Sequence, residues 1–584
     1  MHRLLPTVLL SAALAAQQTA APPTVAPNSF VPADSCLVAR LAAPAKWKSL
    51  FAKTQVAKLM QGPSLAPLVA QMTKGIDEGL EQLRKSGQFD ADLVEKLLTT
   101  YTGELTFSIQ VDWADVAAAM QEGRPPAYAM VLALSPDGSY DLDGLAKAIE
   151  KMVEDAAEHH RPLRDLTVGD HRLRVTADDL DGQACVPTMV DGHLVMIVAS
   201  DIEKSAQRLF GTTARYEQPL GKQPFFVHAQ VGKAMDAVLA AVAEQAEAGG
   251  APFDVATVIE SLGFGALESI TLSVDADDQH ALGEMQVALG DGDAGLFGMV
   301  MFPQTSKLIR LVPPAAEWFS VSPFDPNALY RIVAKVWQEM GDQVPMSLDD
   351  AKTAFAEATK VRLEEDILAH LGTEMMMVED IDPQAAAEID EESGVPLMID
   401  GSCIVMSLRD GKAFGESVEK ALRARGLHAG RKSEDYGDTK VHRMSLAGLV
   451  EVEYAITNEA LLLVVGDREG ARRNLRAVLD ARKAAGADAE LPAALQKHVA
   501  ALRTGWSGIS VSPIGQLLQG MGSTIESLSG LGEMTEEMEM FGVSATTLSQ
   551  MLQSIGGEIQ RLGIDHLVSA TYTTPRSMQV RTRW

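Results

Sequence analysis

The chain repeats itself. In "KLLTTYTGELTFSI" (96–109) and in "DILAHLGTEMMMV" (366–378) a helical pattern stops at Gly, passes Glu and enters an apolar run. Gly103 and Gly372 are expected to end those helices in left-handed backbone, which a residue without Cβ enters freely. Downstream, "AYAMVLALSPDG" (127–138) lines up with "CIVMSLRDG" (403–411), and each precedes an amphipathic helix pattern. Next, "VGDHRLRVT" (168–176) matches "YGDTKVHRM" (436–444). The runs "CVPTMVDGHLVMIVAS" (185–200) and "VEYAITNEALLLVVG" (452–466) both read as hairpins, turning at Asp191-Gly192 and Asn458-Glu459. A helix follows each, "IEKSAQRLF" and "REGARRNLRAVL", and each stretch closes on paired strands at 267–289 and 564–584.

One smaller unit recurs inside this scheme. "CLVARLAAPAKWKSLF" (36–51), "PFFVHAQVGKAMDAVLAAV" (224–242), "EWFSVSPFDPNALYRIV" (317–333) and "WSGISVSPIGQLLQGM" (506–521) each run strand, break, helix. Pro or Gly ends the strand pairing, Ser, Asp or Pro starts the helix, and the helix lays its apolar stripe back on the sheet. The expected fold class is α+β: two tandem homologous modules, each a mainly antiparallel sheet with helices packed on one face. The modules are placed at residues 31–305 and 312–584. The connector "MVMFPQTSKLIRLVPPAA" is too apolar for a loose tether, so the modules are expected to pack together.

Residues 1–16 read as a secretory signal: one Arg, a short apolar core, and Ala13-Leu14-Ala15 as a small-residue cleavage site. Residues 17–30 form a Pro/Ala/Thr-rich linker. An exported protein, periplasmic or extracellular, is the expectation. No later apolar run reaches about 18 residues, so no integral membrane segment is expected after the signal is removed. The net charge of -29 repels phosphate backbones, which sets nucleic acid and anionic membrane surfaces aside as partners. Cys36, Cys185 and Cys403 each sit in an apolar run and read as small buried hydrophobes, although export would permit one disulfide.

No motif specifies a chemistry. "GDGDAG" (290–295) satisfies G-x-G-x-x-G, but "LFGMVMFPQ" follows where a dinucleotide fold needs a long helix, so a turn is expected. Glu104 and Glu374 share the helix–Gly–Glu junction, and Asp170 and Asp438 share a Gly-Asp pair. Such pairs could serve two-carboxylate catalysis or simply be strand-edge and turn residues. The acidic run "EDIDPQAAAEIDEESG" (379–394) offers Asp380, Asp382, Asp390 and Glu391 as weak calcium candidates, against a solvated loop. The histidines do not cluster at ligand spacing; His159-His160 end a helix pattern, where positive charge suits the dipole. Of 26 methionines, Met375 and Met377 should share one strand face with Met376 opposite, and Met534 and Met538 share a helix face without Met540. Adaptable core packing or a surface for varied apolar partners accounts for them. The final "SMQVRTRW" reads as a terminal sheet strand rather than part of a membrane barrel.

The opening Pro32-Ala33-Asp34-Ser35, the Trp-containing "WKSLFAKTQVAKLM", the Gly103-Glu104 junction and the late "LESITLSVDADDQ" carry a resemblance. On these phrases the chain resembles an uncharacterised family of bacterial extracytoplasmic proteins known only as a domain of unknown function. The likeness covers most of the first copy; the second has Pro314-Ala315-Ala316 in place of Pro-Ala-Asp. It implies export and an α+β fold, and brings no catalytic residue. The resulting expectation is a non-enzymatic binding or interaction protein of the cell envelope, with no cofactor. Its partner would be a hydrophobic ligand or an envelope protein. The alternatives are a hydrolase of unrecognised type using carboxylates, and a structural component of an envelope layer.

Overall fold

The structure, a computed structural model, describes residues 30–42, 47, 50–62, 65, 66, 70, 74, 78, 80–82, 84, 85, 91–122, 124–157, 163–176, 183–210, 216, 221, 223–248, 255–277, 280–304, 306–341, 344–379, 402–446, 450–466, 469–485, 496, 504–516, 518, 519, 522, 545–562 and 566–583. The signal 1–16, nearly all of the linker 17–30, the calcium candidates Asp380, Asp382, Asp390 and Glu391, His159, His160, Met534, Met538 and Met540 lie outside the described residues.

The strands pair antiparallel and alternate with helices, so the α+β class holds. The chain divides into two compact units, one of Met1–Glu244 with Leu267–Ala288, the other of Gln245–Ala266 with Leu289–Trp584. Among the described residues, no helix is long and apolar enough to cross a membrane.

The first unit carries β1 (Leu37–Ala42), β2 (Glu104–Val111), β3 (Tyr128–Leu134), β4 (Leu163–Val168), β5 (His171–Thr176), β6 (Gln183–Ala184), β7 (Thr188–Val190), β8 (His193–Ala199), β9 (Phe225–Gln230), β10 (Leu267–Ala276) and β11 (Ala281–Leu289). Its main sheet runs β10–β9–β1–β2–β3–β8, with β6 and β7 on the far side of β8. β4 and β5 form a separate hairpin. The β7–β8 hairpin turns where expected: Asp191 (φ 50°) and Gly192 (φ 80°) both take left-handed backbone, the geometry that matches strand twist.

The second unit carries β12 (Trp318–Pro323), β13 (Leu371–Glu379), β14 (Ser402–Leu408), β15 (Lys432–Tyr436), β16 (Thr439–Leu446), β17 (Val450–Ile456), β18 (Ala460–Val465), β19 (Gly508–Ser512), β20 (Leu567–Thr574) and β21 (Ser577–Arg583). Its sheet runs β21–β20–β19–β12–β13–β14–β18–β17–β16–β15. The two Ser-Val-Ser-Pro phrases fall on neighbouring strands, with Ser320 directly opposite Ser510. The terminal "SMQVRTR" is an ordinary sheet strand beside β20.

Two expectations need correction. Helices pack on both faces of each sheet, not on one alone. In the first unit Ile202, Ala206 and Leu209 of helix Ile202–Phe210 pack with Val131 and Ile197. Helix Leu142–Ala157 packs Leu142 and Leu145 with Leu134 and Leu194, which point the other way. In the second unit Leu475 and Leu479 of helix Glu469–Ala484 join Val405 and Leu462, while Phe414 of helix Gly411–Ala424 joins Leu408 on the opposite face. These strands carry apolar residues at both parities, and each face therefore needs a cover. The second correction concerns Gly103 and Gly372, neither of which adopts left-handed backbone. Space explains them: a Cβ on Gly103 would lie 2.4 Å from the Ser135 carbonyl oxygen, and one on Gly372 2.2 Å from Ser407 Oγ.

Candidate functional site

Alternation along β2, "ELTFSIQV", puts Leu105, Phe107, Ile109 and Val111 on one face and Thr106, Ser108 and Gln110 on the other. Ordinary patterning sends the apolar set to the core. The structure does the reverse. Thr106, Ser108 and Gln110 are 6%, 1% and 4% exposed, while the four apolar residues are half-buried.

Register extends this apolar set across six strands. Val274, Phe225, Leu41, Leu105, Leu134 and Leu194 form one row from β10 to β8. Leu272, Val227, Ala39, Phe107, Leu132 and Met196 form the next. Ile270, Ala229, Leu37, Ile109, Met130 and Val198 form the third. No polar side chain interrupts the three rows. The strand spacing makes this face about 24 Å wide and about 14 Å along the strands. Leu194 is buried and Leu272 is 40% exposed; the others are half-buried. The first row is covered in two places. Leu134 and Leu194 lie under helix Leu142–Ala157, and Phe225 meets the Trp47 ring edge-on at 6.4 Å, Trp47 being stacked on Phe51. A continuous apolar surface that its own protein leaves half-covered is the usual mark of a binding face.

The opposite face of β10, β9, β1 and β2 is sealed and polar. One row across it reads Thr271, His228, Val38, Ser108, and the next Ser273, Phe226, Arg40, Thr106. Arg40 forks onto the Glu104 carboxylate, with Nε at 3.0 Å, and donates to the Gly221 carbonyl. Gln110 donates to Asp34. His228 Nδ1 lies 2.9 Å from Thr271 Oγ1, but its Nε2 has no hydrogen-bond partner among the described residues, and neither has Ser108 Oγ. Burial holds the His228 ring below the usual imidazole range, a pull that the Glu268 charge opposes. Ser108 and His228 stand on either side of Val38, two strands or about 9.6 Å apart, beyond the reach of a serine–histidine catalytic pair.

Strand order assigns each of these positions a counterpart in the second unit. Thr271, His228, Val38 and Ser108 correspond to Val568, Val511, Phe319 and Val378. Ser273, Phe226, Arg40 and Thr106 correspond to Ala570, Ile509, Val321 and Met376. All eight counterparts are apolar and buried. On the reverse face, β12, β19 and β20 present Ser320, Ser510 and Ser569 where β1, β9 and β10 present Ala39, Val227 and Leu272. At these positions polar residues replace apolar ones on the buried face of the first unit, and on three strands the reverse face changes in the opposite sense; β13 keeps Met375 and Met377 where β2 has Leu105 and Phe107.

Of the carboxylates singled out in the sequence, Glu104, Glu374 and Asp438 are occupied within their own units. Glu104 is tied to Arg40. Glu374, 5% exposed, accepts from Gln304 Nε2 at 2.6 Å, Ser306 Oγ at 3.0 Å, Lys307 N–H at 2.7 Å and Leu308 N–H at 2.9 Å. Asp170 and Asp438 follow Gly169 and Gly437 in the β4–β5 and β15–β16 turns. Asp438 is held below the usual carboxylate range by Arg482, 3.2 Å away. "GDGDAG" leaves β11 as a turn, with Asp293 accepting from Gly295 N–H and pairing with Lys335, and a short 3-10 helix follows. Met376 is fully buried, and Met375 and Met377 face the other way. Cys36, Cys185 and Cys403 are free thiols. Among the described residues, no group of three His, Cys, Asp or Glu could hold a metal ion. Sequence reasoning missed the exchange of faces, although the alternation in β2 and the lone His228 in "FFVHAQ" carried its signal.

No family model matches the chain, and no curated protein matches it. One solved structure similar to it, "Structure of crystal form III of TP0453", is 11% identical and covers 46% of this chain and 82% of that one. Its TM-score of 0.22 is too low to support any statement about fold or function.

Proposed function

We propose that the chain is a non-enzymatic binding protein whose first unit holds an apolar ligand against the three-row face of its sheet. The reversed burial of β2 carries this reading: the side chains that should close a core are left half-covered, and polar ones are sealed in their place. Natural sequences break binary patterning mainly where function requires it. We also propose that the two units are tandem homologous modules. The orders β10–β9–β1–β2–β3–β8 and β20–β19–β12–β13–β14–β18 support this, together with the shared Gly-then-Glu entry to β2 and β13. On this view one copy kept an ordinary core and the other was turned to binding. Export to the cell envelope and kinship with the extracytoplasmic family belong to the same proposal, supported by the signal-like pattern of residues 1–16 and the Pro32-Ala33-Asp34 opening.

Titration of the delipidated full chain with an uncharged apolar dye such as Nile red tests the binding claim. Saturable uptake is expected, and Leu272→Glu, at the most exposed position of the face, should weaken it at least tenfold while the protein stays folded. Uptake that does not saturate, or that Leu272→Glu leaves unchanged, would refute the reading.

A further inference from the structure

The three-row face is partly covered along its first row, and two charges free of partners among the described residues lie beyond its third. In the first row Leu134 and Leu194 lie under helix Leu142–Ala157, and Phe225 meets the Trp47–Phe51 stack. The Ile270–Val198 row lies near the last residues of β2 and β9, where the chain continues into Trp113 and Lys233. There Trp113, Ala114, Lys233, Asp236 and Ala237 line a shallow groove wide open to solvent. Two links of local structure place these side chains. Asp112 caps the short turn carrying Trp113 by accepting from Ala114 N–H, and Lys233 and Asp236 fall one turn apart on helix Gly232–Ala248. Both charged residues are exposed, and neither makes an ion pair or hydrogen bond among the described residues.

We infer that the groove receives the head group of a zwitterionic phospholipid whose acyl chains lie along the strands of the three-row face; this rests on the reading of that face as a binding surface. The dimensions agree: one leaflet of a bilayer is about 15 Å of hydrocarbon, close to the length of the face along its strands. The width of about 24 Å leaves room for two chains side by side. Charge chooses the head. Lys233 offers an unpaired cation to a phosphate, and Asp236 with the Trp113 ring offers a carboxylate and a π-face to an ammonium group. A head of no net charge also escapes the repulsion that a protein of net charge -29 exerts on anionic lipids.

The full chain is incubated with phosphatidylethanolamine vesicles or phosphatidylglycerol vesicles, re-isolated, and its bound lipid counted by native mass spectrometry. The zwitterionic lipid should load about tenfold better, the loss of one charge-assisted contact being worth about that factor. Both positions being exposed, Asp236→Lys should remove the preference, Lys233→Glu should lower the loading of both lipids without removing it, and the double exchange should restore both loading and preference. Equal loading of the two lipids, or single variants that behave like the parent, would overturn the head-group assignment while leaving the apolar face intact. If neither lipid loads and Nile red does not bind, the face itself has been misread and this inference falls with it.

Discussion

Removing the Ser108 hydroxyl should make the protein more stable. The side chain is 1% exposed, its register neighbours are Val38 and Val131, and its Oγ has no partner among the described residues. An unsatisfied buried hydroxyl costs about 1–3 kcal/mol. Ser108→Ala abolishes that cost and gives up one oxygen's worth of packing, a few contacts at about 0.1–0.2 kcal/mol each. The expected net gain is about 1 kcal/mol, or about 2–4 °C for a unit of this size. A two-unit chain need not unfold in one step, so the assay is scanning calorimetry with the second unit as internal reference. Leu475→Ala, which empties a fully buried position of the second unit and should cost about 2–5 kcal/mol, identifies that unit's transition. Ser108→Ala should raise the other transition. A loss of about 1 kcal/mol or more would mean that the hydroxyl is satisfied, and the description of the polar layer as partly unpaired would be wrong.

Arg40→Met leaves the Glu104 carboxylate at the rim of the sealed layer without its partner and should cost the first unit about 3 kcal/mol, read from the same calorimetric transition. Because burial lowers the His228 pKa, the unfolded chain takes up the proton first. The stability that His228 contributes is complete above about pH 6.5 and is lost as pH falls through its folded value. His228→Gln should flatten the first unit's melting temperature between pH 7.5 and 5. Glu379 behaves in the opposite sense, since burial pushes it up to about 7 from 4.5. Its contribution is complete below pH 4.5 and is lost as pH rises through 7, on the order of 2 kcal/mol once solvent screening is allowed for. Glu379→Gln should remove that fall, measured as urea midpoints of the second unit at pH 5 and pH 8.

Local signals in the sequence translated well into local structure. Asp191-Gly192 and Gly169-Asp170 turn hairpins because their backbone conformations are short-range properties of those residues. The Ser-Val-Ser-Pro echo marks two adjacent strands, with Val321 and Val511 buried and the serines turned away. The choice of face was harder to read. "LVARLA" in β1 is apolar at both parities apart from Arg40, so alternation alone cannot say which side is covered. In β2 alternation is clear and points to the wrong side, because what seals Thr106 and Ser108 is long-range. Val31 and Tyr216, with Gly221 at Arg40, come from remote segments to close the layer.

The exchange of faces does not arise from a slip of strand register. A slip of one residue would send every side chain to the other face and could produce such a pattern without any change of sequence. The strand entries exclude it. In the first unit the Glu104 N–H donates to Ser135 Oγ at 2.7 Å, and that hydroxyl sits 3.2 Å from the Glu104 carbonyl oxygen. In the second the Glu374 N–H donates to Ser407 Oγ at 3.0 Å, with the hydroxyl 3.3 Å from the Glu374 carbonyl oxygen. Counting four residues on from each Glu reaches Ser108, opposite Val38, and Val378, opposite Phe319. The pairing is the same in both units, so the inversion is written residue by residue. Unsatisfied Ser108 and His228 atoms, costly in any core, persist in the unit whose apolar side chains are committed to the opposite face.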